Sequence, residues 1–194
     1  GAPEQNVGRS TLDIVQGKPV SQDGLHGTVA LVEAATQGFF CTGTLIAERV
    51  VVTAAHCLIM SMDEVTGEIE AVPSSELLVA FDILDVERID ASSVIPVERA
   101  MLHEGFGFGD LCCDETGLGA GHDIAVLVLE RPVTRQRPVT VPTVESVRSW
   151  LGPEHALEIA GYGVQDLATA AGGTLHAARV PFQRQTEYEM LLGG

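Results

Sequence analysis

Short runs of apolar and β-branched residues, separated by clusters of Gly, Pro, Asp and Ser, recur along almost the whole chain. Strands of this length and spacing, without a repeat of 3.6 residues, are typical of an all-β sandwich or barrel. Several runs alternate only imperfectly between apolar and polar residues, as strands buried on both faces do. The pattern therefore predicts an all-β fold, with strands in the runs 27–34, 39–47, 49–55, 76–84, 93–103, 123–130, 156–164 and 174–182.

Three stretches between these runs are interpreted as connections. The segments 59–75 and 105–121 are expected to be long loops, because glycines and acidic residues interrupt any apolar period. The segment RPVTRQRPVTVP at 131–142 is basic and proline-rich, which predicts a linker between two halves of the chain.

Composition limits the class of protein. The length of 194 residues fits one large domain or two small ones, and the apolar share of 45% is typical of a globular chain. The formal net charge of −16 argues against binding nucleic acid or an anionic membrane through charge. A solvated acidic surface explains this charge more simply than a preference for cationic substrates. No apolar run reaches the roughly 18 residues that a membrane-spanning helix needs.

A histidine ends one of the apolar runs, in the segment VVVTAAHC at 50–57. The longer segment FCTGTLIAERVVVTAAHC resembles the trypsin/chymotrypsin family of serine endopeptidases. In that family a cysteine, a small-Gly-Ser/Thr-Leu-Ile run and a T-A-A-H-C block follow in this order. Three further segments resemble family blocks in the same chain order: IVQGKPV at 14–20, GHDIAVLVL at 121–129 and GYG at 161–163.

The resemblance assigns roles to two residues. His56 matches the family's catalytic histidine, and Asp123 matches the aspartate of its triad. An imidazole can take the proton of a nucleophile and later donate it to the leaving amine. A carboxylate against the other ring nitrogen fixes the tautomer and stabilises the imidazolium. The resemblance implies a protein or peptide substrate and no cofactor.

The cysteines fit the same family. The spacing of Cys41, Cys57, Cys112 and Cys113 matches no zinc-binding pattern, so no metal site is expected. The resemblance implies a disulfide between Cys41 and Cys57 that pins the loop carrying the histidine. Such a bond predicts an oxidising compartment, and hence a secreted or periplasmic protein.

The resemblance implies two six-stranded antiparallel Greek-key barrels of the chymotrypsin type, the second incomplete in this chain. The expected divisions are a pro-segment or N-terminal extension at 1–13, a first barrel at 14–130, the linker at 131–142, and the first part of a second barrel at 143–194.

The nucleophile of the family is absent from this sequence. None of the serines lies in a Gly-Asp-Ser-Gly-Gly block. Three explanations are open: the remainder is a separate polypeptide after a cut beyond Gly194, the chain is a shortened form, or it is a degenerate homologue that binds proteins without cutting them. The first makes the complementary C-terminal segment the expected partner of this chain.

Two features depart from the family pattern. The Ile-Val-x-Gly block follows Asp13, whereas family zymogens are usually cut after a basic residue; a cut between Asp13 and Ile14 is the expected activation step. Cleavage after Arg9 is an alternative that would leave no isoleucine end. The adjacent Cys112 and Cys113 are open to pairing with an absent part, to a vicinal disulfide, or to remaining thiols.

Some polar residues are expected to have no special role. Asp82, Asp85 and Glu87 lie near where some family members hold calcium, but their spacing supports a solvated hairpin instead. The remaining histidines, including His122 beside Asp123, are expected at the surface: His26, His103, His155 and His176.

Overall fold

The computed structural model describes residues 17–24, 27–63, 65–107, 110, 121–152, 154–165, 172–185 and 190–192. The helix α1 spans Val144–Trp150. The strands within the described residues are β1 Lys18–Pro19, β2 Thr28–Glu33, β3 Phe39–Ala47, β4 Val50–Thr53, β5 Ile59–Met62, β6 Ile69–Ala71, β7 Leu77–Ala80, β8 Val94–Leu102, β9 Ala125–Leu129, β10 Ala156–Gly161, β11 His176–Gln185 and β12 Met190–Leu192.

Six of the strands form a closed antiparallel barrel in the order β2-β3-β4-β9-β8-β7. Because the barrel is closed, each of its strands pairs on both sides and none is left with an open edge. The predicted all-β, chymotrypsin-like fold is therefore confirmed. The first six predicted runs overlap these barrel strands, and the run 39–47 has the bounds of β3.

The barrel core is filled by alternate residues of its strands. In β9 the buried positions are Ala125, Leu127 and Leu129, and the residues between them are only partly buried. Gly43 faces the same interior, where a Cβ atom would lie 2.7 Å from Val51 Cγ1. The absence of a side chain at Gly43 thus lets β3 approach the packed side chains of its neighbours.

A second sheet contains β1 and the later strands β10, β11 and β12. In it β11 pairs with each of the other three. In the described part of the chain this sheet is open. It docks on the barrel through a second apolar cluster, whose buried members are Ala30, Val32, Ala80, Ile83, Tyr162 and Leu175.

Tyr162 connects the barrel and the second sheet. Its ring is fully buried, and its hydroxyl donates a hydrogen bond of 2.9 Å to the carbonyl of Ile83. Its backbone N–H donates to Thr42 Oγ1 at 3.2 Å. A buried hydroxyl needs such a partner, since leaving it unpaired costs roughly 1–3 kcal/mol.

Two elements differ from the sequence-based expectations. The segment 59–75, expected to be a loop, contains the two-stranded hairpin β5–β6 and a short 3-10 turn at Ser74–Glu76. The helix α1 was not predicted, because seven residues are too few to show a helical period. Thr143 caps this helix by accepting the N–H of Ser146.

The stretch 131–142 contains no helix or strand, yet it is fixed to the barrel. The side chain of Gln136 is buried, donating to Thr28 O and accepting the N–H of Asp82, each at 2.8 Å. Arg135 lies over the ring of Phe81, 5.4 Å from its centroid. The division of the chain into 1–13, 14–130, 131–142 and 143–194 stays a prediction. Among the described residues, no helix is long and apolar enough to cross a membrane.

Candidate active site

The end of β4 places His56 at the rim of the barrel. The strand stops at Thr53, and residues Ala55–Leu58 form one turn of 3-10 helix that carries the histidine. The neighbours Ala55 and Leu58 are fully buried in the barrel core. The turn is therefore anchored on both sides of His56, while the imidazole points away from the core with 32% of its side chain exposed.

Strand pairing brings Asp123 to the same rim. Thr53 at the end of β4 pairs with Ala125 at the start of β9. His56 follows the first of these residues and Asp123 precedes the second, so antiparallel pairing places both at one edge of the sheet. The long separation of the two residues in sequence is thus closed by the barrel itself.

The carboxylate of Asp123 accepts two hydrogen bonds from His56. Its Oδ2 lies 2.6 Å from the ring Nδ1, and its Oδ1 accepts the backbone N–H of His56 at 2.8 Å. Because a carboxylate only accepts, Nδ1 carries the hydrogen and Nε2 of the neutral ring is an acceptor. The arrangement presents a proton-accepting nitrogen on the side of the ring opposite Asp123.

The predicted disulfide between Cys41 and Cys57 is confirmed, with a Cα–Cα distance of 6.1 Å. It joins β3 to the turn that carries His56, so it holds that turn against the barrel wall. The two sulfurs and a ring nitrogen of His56 lie within 4.8 Å of one another. Disulfide sulfurs are not thiolates, so this group is no metal site in the oxidised protein.

Other predicted site residues lie outside the described part of the chain. Asp13 and Ile14, the expected activation site, are among them, as are Cys112 and Cys113. Most of the segment 105–121, expected to be a loop, is also outside it.

The acidic stretch after β7 is engaged by protein groups. Asp82 lies 3.6 Å from Arg135 Nε and also accepts a hydrogen bond from Gln22. Asp85 accepts the N–H of Glu87 in the 3-10 turn Val86–Arg88. These contacts give both aspartates partners within the chain, and their side chains are only 23% and 25% exposed.

A polar group beside His122, the residue before Asp123, was not predicted from the sequence. The side chain of Asp110 is 3% exposed, and His122 Nδ1 lies 3.4 Å from its Oδ1. His122, expected to be only a surface residue, stacks on His103 with ring centroids 4.9 Å apart. No spacing rule links these three residues, because the chain between them follows no regular period.

The fold and the paired side chains define a class: a chymotrypsin-like barrel protein with a histidine–aspartate pair at its rim. The family model described as Trypsin matches residues 14–190. The chain therefore belongs to the trypsin family, as its sequence motifs predicted.

Three curated relatives carry the names of serine proteases or proteases. Serine protease 7 of Drosophila melanogaster is 30% identical over 128 residues, which cover 63% of this chain and 31% of that protein. CLIP domain-containing serine protease HP8 of Bombyx mori is 28% identical over 155 residues, covering 77% and 40%. Mast cell protease 8 of Mus musculus is 28% identical over 123 residues, covering 63% and 40%. The chain thus spans less than half the length of these relatives.

Proposed function

We propose that this chain is the N-terminal part of a trypsin-like serine endopeptidase and supplies the base and the orienting carboxylate of its triad. The observation that carries the proposal is the double hydrogen bond from His56 to Asp123. Two bonds on one carboxylate fix both the position and the tautomer of the ring, which is what a general base at a rim requires.

In the proposed mechanism His56 Nε2 removes the proton of a serine hydroxyl as its oxygen attacks the peptide carbonyl. Asp123 stabilises the imidazolium that forms but does not itself take up the proton. The imidazolium then donates the proton from Nε2 to the leaving amine. The peptide C–N bond breaks and an acyl-enzyme ester remains on the serine. Water then attacks this ester with His56 again as the base. The ester bond breaks, the serine oxygen regains its proton from His56, and the second product is released.

The serine and the amides that hold the oxyanion would come from a complementary C-terminal segment that follows the residues of this sequence. The described open sheet of β10, β11 and β12 fits this division, because its outer strands offer backbone groups to which further strands can pair. The substrate would be a protein or peptide, as the family and the relatives' names suggest.

The proposal includes a zymogen form and an oxidising compartment. A cut between Asp13 and Ile14 would create the Ile-Val-x-Gly end that the family uses. The Cys41–Cys57 disulfide supports secretion or a periplasmic location, since such bonds persist where thiols are oxidised.

The test is active-site labelling of the processed protein, together with its complementary segment, by a fluorophosphonate. The wild type should be labelled at a serine outside this sequence and should cleave a peptide library. His56→Ala should lower kcat on the order of 10⁴-fold or more, the loss typical of serine-protease triads from which the histidine has been removed.

A matched variant separates catalysis from folding. The side chain of His155 has the same 32% exposure as that of His56 but lies before β10. His155→Ala should leave labelling and kcat unchanged, although it removes the contact of the His155 ring with Trp150. Both variants should still unfold in one cooperative transition, which shows that each is folded. A folded, processed wild type that neither labels nor cleaves would instead indicate a catalytically inactive homologue that binds proteins.

A further inference from the structure

Asp110 is a buried carboxylate that none of the sequence motifs includes. Its side chain is 3% exposed. One oxygen, Oδ2, accepts the backbone N–H of Gly107 at 2.8 Å, and the other, Oδ1, accepts the backbone N–H of His122 at 2.9 Å. A single side chain therefore joins the chain just after β8 to the residue just before Asp123.

The backbone around Asp123 is held from two directions. On one side, the N–H of His103 donates to the carbonyl of Ile124 at 3.0 Å, which extends the β8–β9 pairing. On the other side, Asp110 accepts the N–H of His122. Asp123 lies between these two fixed points, so the direction of its Cα–Cβ bond depends on both.

We propose that Asp110 is a positioning residue for the pair formed by His56 and Asp123. It acts through the backbone of His122, whose N–H it accepts, and its described hydrogen bonds do not include the His56 ring. This inference rests on the proposed function, because it assigns Asp110 a part in the same site. The side chain of His122 is held as well. Its Nδ1 lies 3.4 Å from Asp110 Oδ1, and its ring stacks on that of His103.

The substitution Asp110→Asn tests this role with little change in volume. An amide has one acceptor oxygen, and its NH₂ group would face one of the two backbone N–H donors. One hydrogen bond is lost and two donors are brought together in a buried place. The His122 backbone should therefore shift, and the contact between Asp123 and the His56 ring should lengthen.

Steady-state kinetics and proton NMR of the folded, processed protein with its complementary segment test the proposal. In Asp110→Asn kcat should fall on the order of 10-fold to 100-fold while KM stays within about twofold, as expected from a small misplacement of the base. The low-field proton NMR signal of the His56 Nδ1–H, identified by its loss in His56→Ala, should weaken or exchange faster with water.

Asp90→Asn is the matched control. Asp90 Oδ1 accepts two backbone N–H groups, from Ser92 at 2.7 Å and Ser93 at 3.1 Å. The nine residues of β8 separate this turn from His103, a distance of about 32–34 Å along an extended strand. This variant loses the same kind of turn contact, yet kcat and the His56 signal should not change.

The outcomes are distinguishable. An inactive wild type with a His56 signal that Asp110→Asn weakens would overturn the proposed function and support the positioning role. A normal His56 signal and normal kcat in Asp110→Asn would overturn the positioning role. If that variant does not fold, amide exchange in the wild type decides: protection of the Gly107 and His122 N–H groups supports the role, and rapid exchange of both overturns it.

Discussion

Tyr162 shows how one residue couples folding to pH. Burial raises the pKa of the Tyr162 phenol well above its usual value, because the phenolate form would be charged in an apolar place. The unfolded chain has the ordinary value of about 10. Above that pH the unfolded state releases a proton that the folded state keeps, so the free energy of unfolding must fall as pH rises.

The substitution Tyr162→Phe separates these two effects. Near pH 8 it should lower the free energy of unfolding by about 1 kcal/mol, because the bond to the Ile83 carbonyl is lost. Between about pH 10 and pH 12 the wild type should lose stability more steeply than the variant, by up to roughly 1.4 kcal/mol per pH unit. Denaturant titrations of both proteins at each pH measure the difference. Parallel pH profiles would contradict a buried, protonated Tyr162.

At this scale the sequence predicted the candidate pair but not its surroundings. His56, Asp123, Cys41 and Cys57 stand in blocks with a fixed order, so each could be identified by neighbours in the chain. Asp110 could not, because it is held by backbone N–H groups, which every residue except proline carries. Almost any residue could stand at the positions that donate these N–H groups, so the residue types there do not reveal the contact.

Among the elements, β3 carries a tight packing requirement. A Cβ atom at Gly43 would lie 2.7 Å from Val51 Cγ1 and 2.9 Å from Leu31 Cδ1, inside the barrel. Gly43→Ala should therefore lower the free energy of unfolding by about 1–3 kcal/mol, because the packed neighbours must move. Thr44→Ala, at the next and exposed position of the same strand, should change it by less than about 1 kcal/mol.

Chemical denaturation of the two variants checks this prediction. If Gly43→Ala were as stable as the wild type, β3 would not lie as close to β2 and β4 as described. The result would then question the register of the barrel at Thr44↔Val52 and Val29↔Gly43, not only the packing at one residue.

The strands that were predicted correctly are those whose burial sets the pattern of apolar residues in the sequence. Alternate residues of the barrel strands lie in a common core, so buried positions recur every second residue. In β2 the other face is buried too, against the second sheet. The hairpin β5–β6 was not predicted because, in the described part of the chain, its two strands pair with each other alone and its residues are exposed or partly buried. The short helix α1 has no fully buried residue, so its sequence holds no apolar period either.

At the scale of the molecule, the barrel and the second sheet share a buried boundary. Leu175 is 1% exposed there, and its N–H donates to the carbonyl of Leu84 at 2.8 Å. Such a boundary predicts that both parts unfold together in one calorimetric transition. Leu175→Ala, in the boundary, and Leu127→Ala, in the barrel core, should each lower the stability of that one transition by about 2–5 kcal/mol.

Differential scanning calorimetry distinguishes this from independent unfolding. Val65→Ala is the control, because Val65 is 94% exposed and should leave the transition within about 0.5 kcal/mol of the wild type. Two separate transitions, with Leu175→Ala moving only one of them, would contradict a shared boundary.

The closed barrel also bears on the order of events during synthesis. Its six strands end at Leu129, so a ribosome that has released this residue has released every strand the barrel needs. Domains generally fold as units from the N-terminal side. Under the proposed function, the His56–Asp123 pair would be assembled before the nucleophile has been translated, so a nascent chain at this stage could not cleave other proteins.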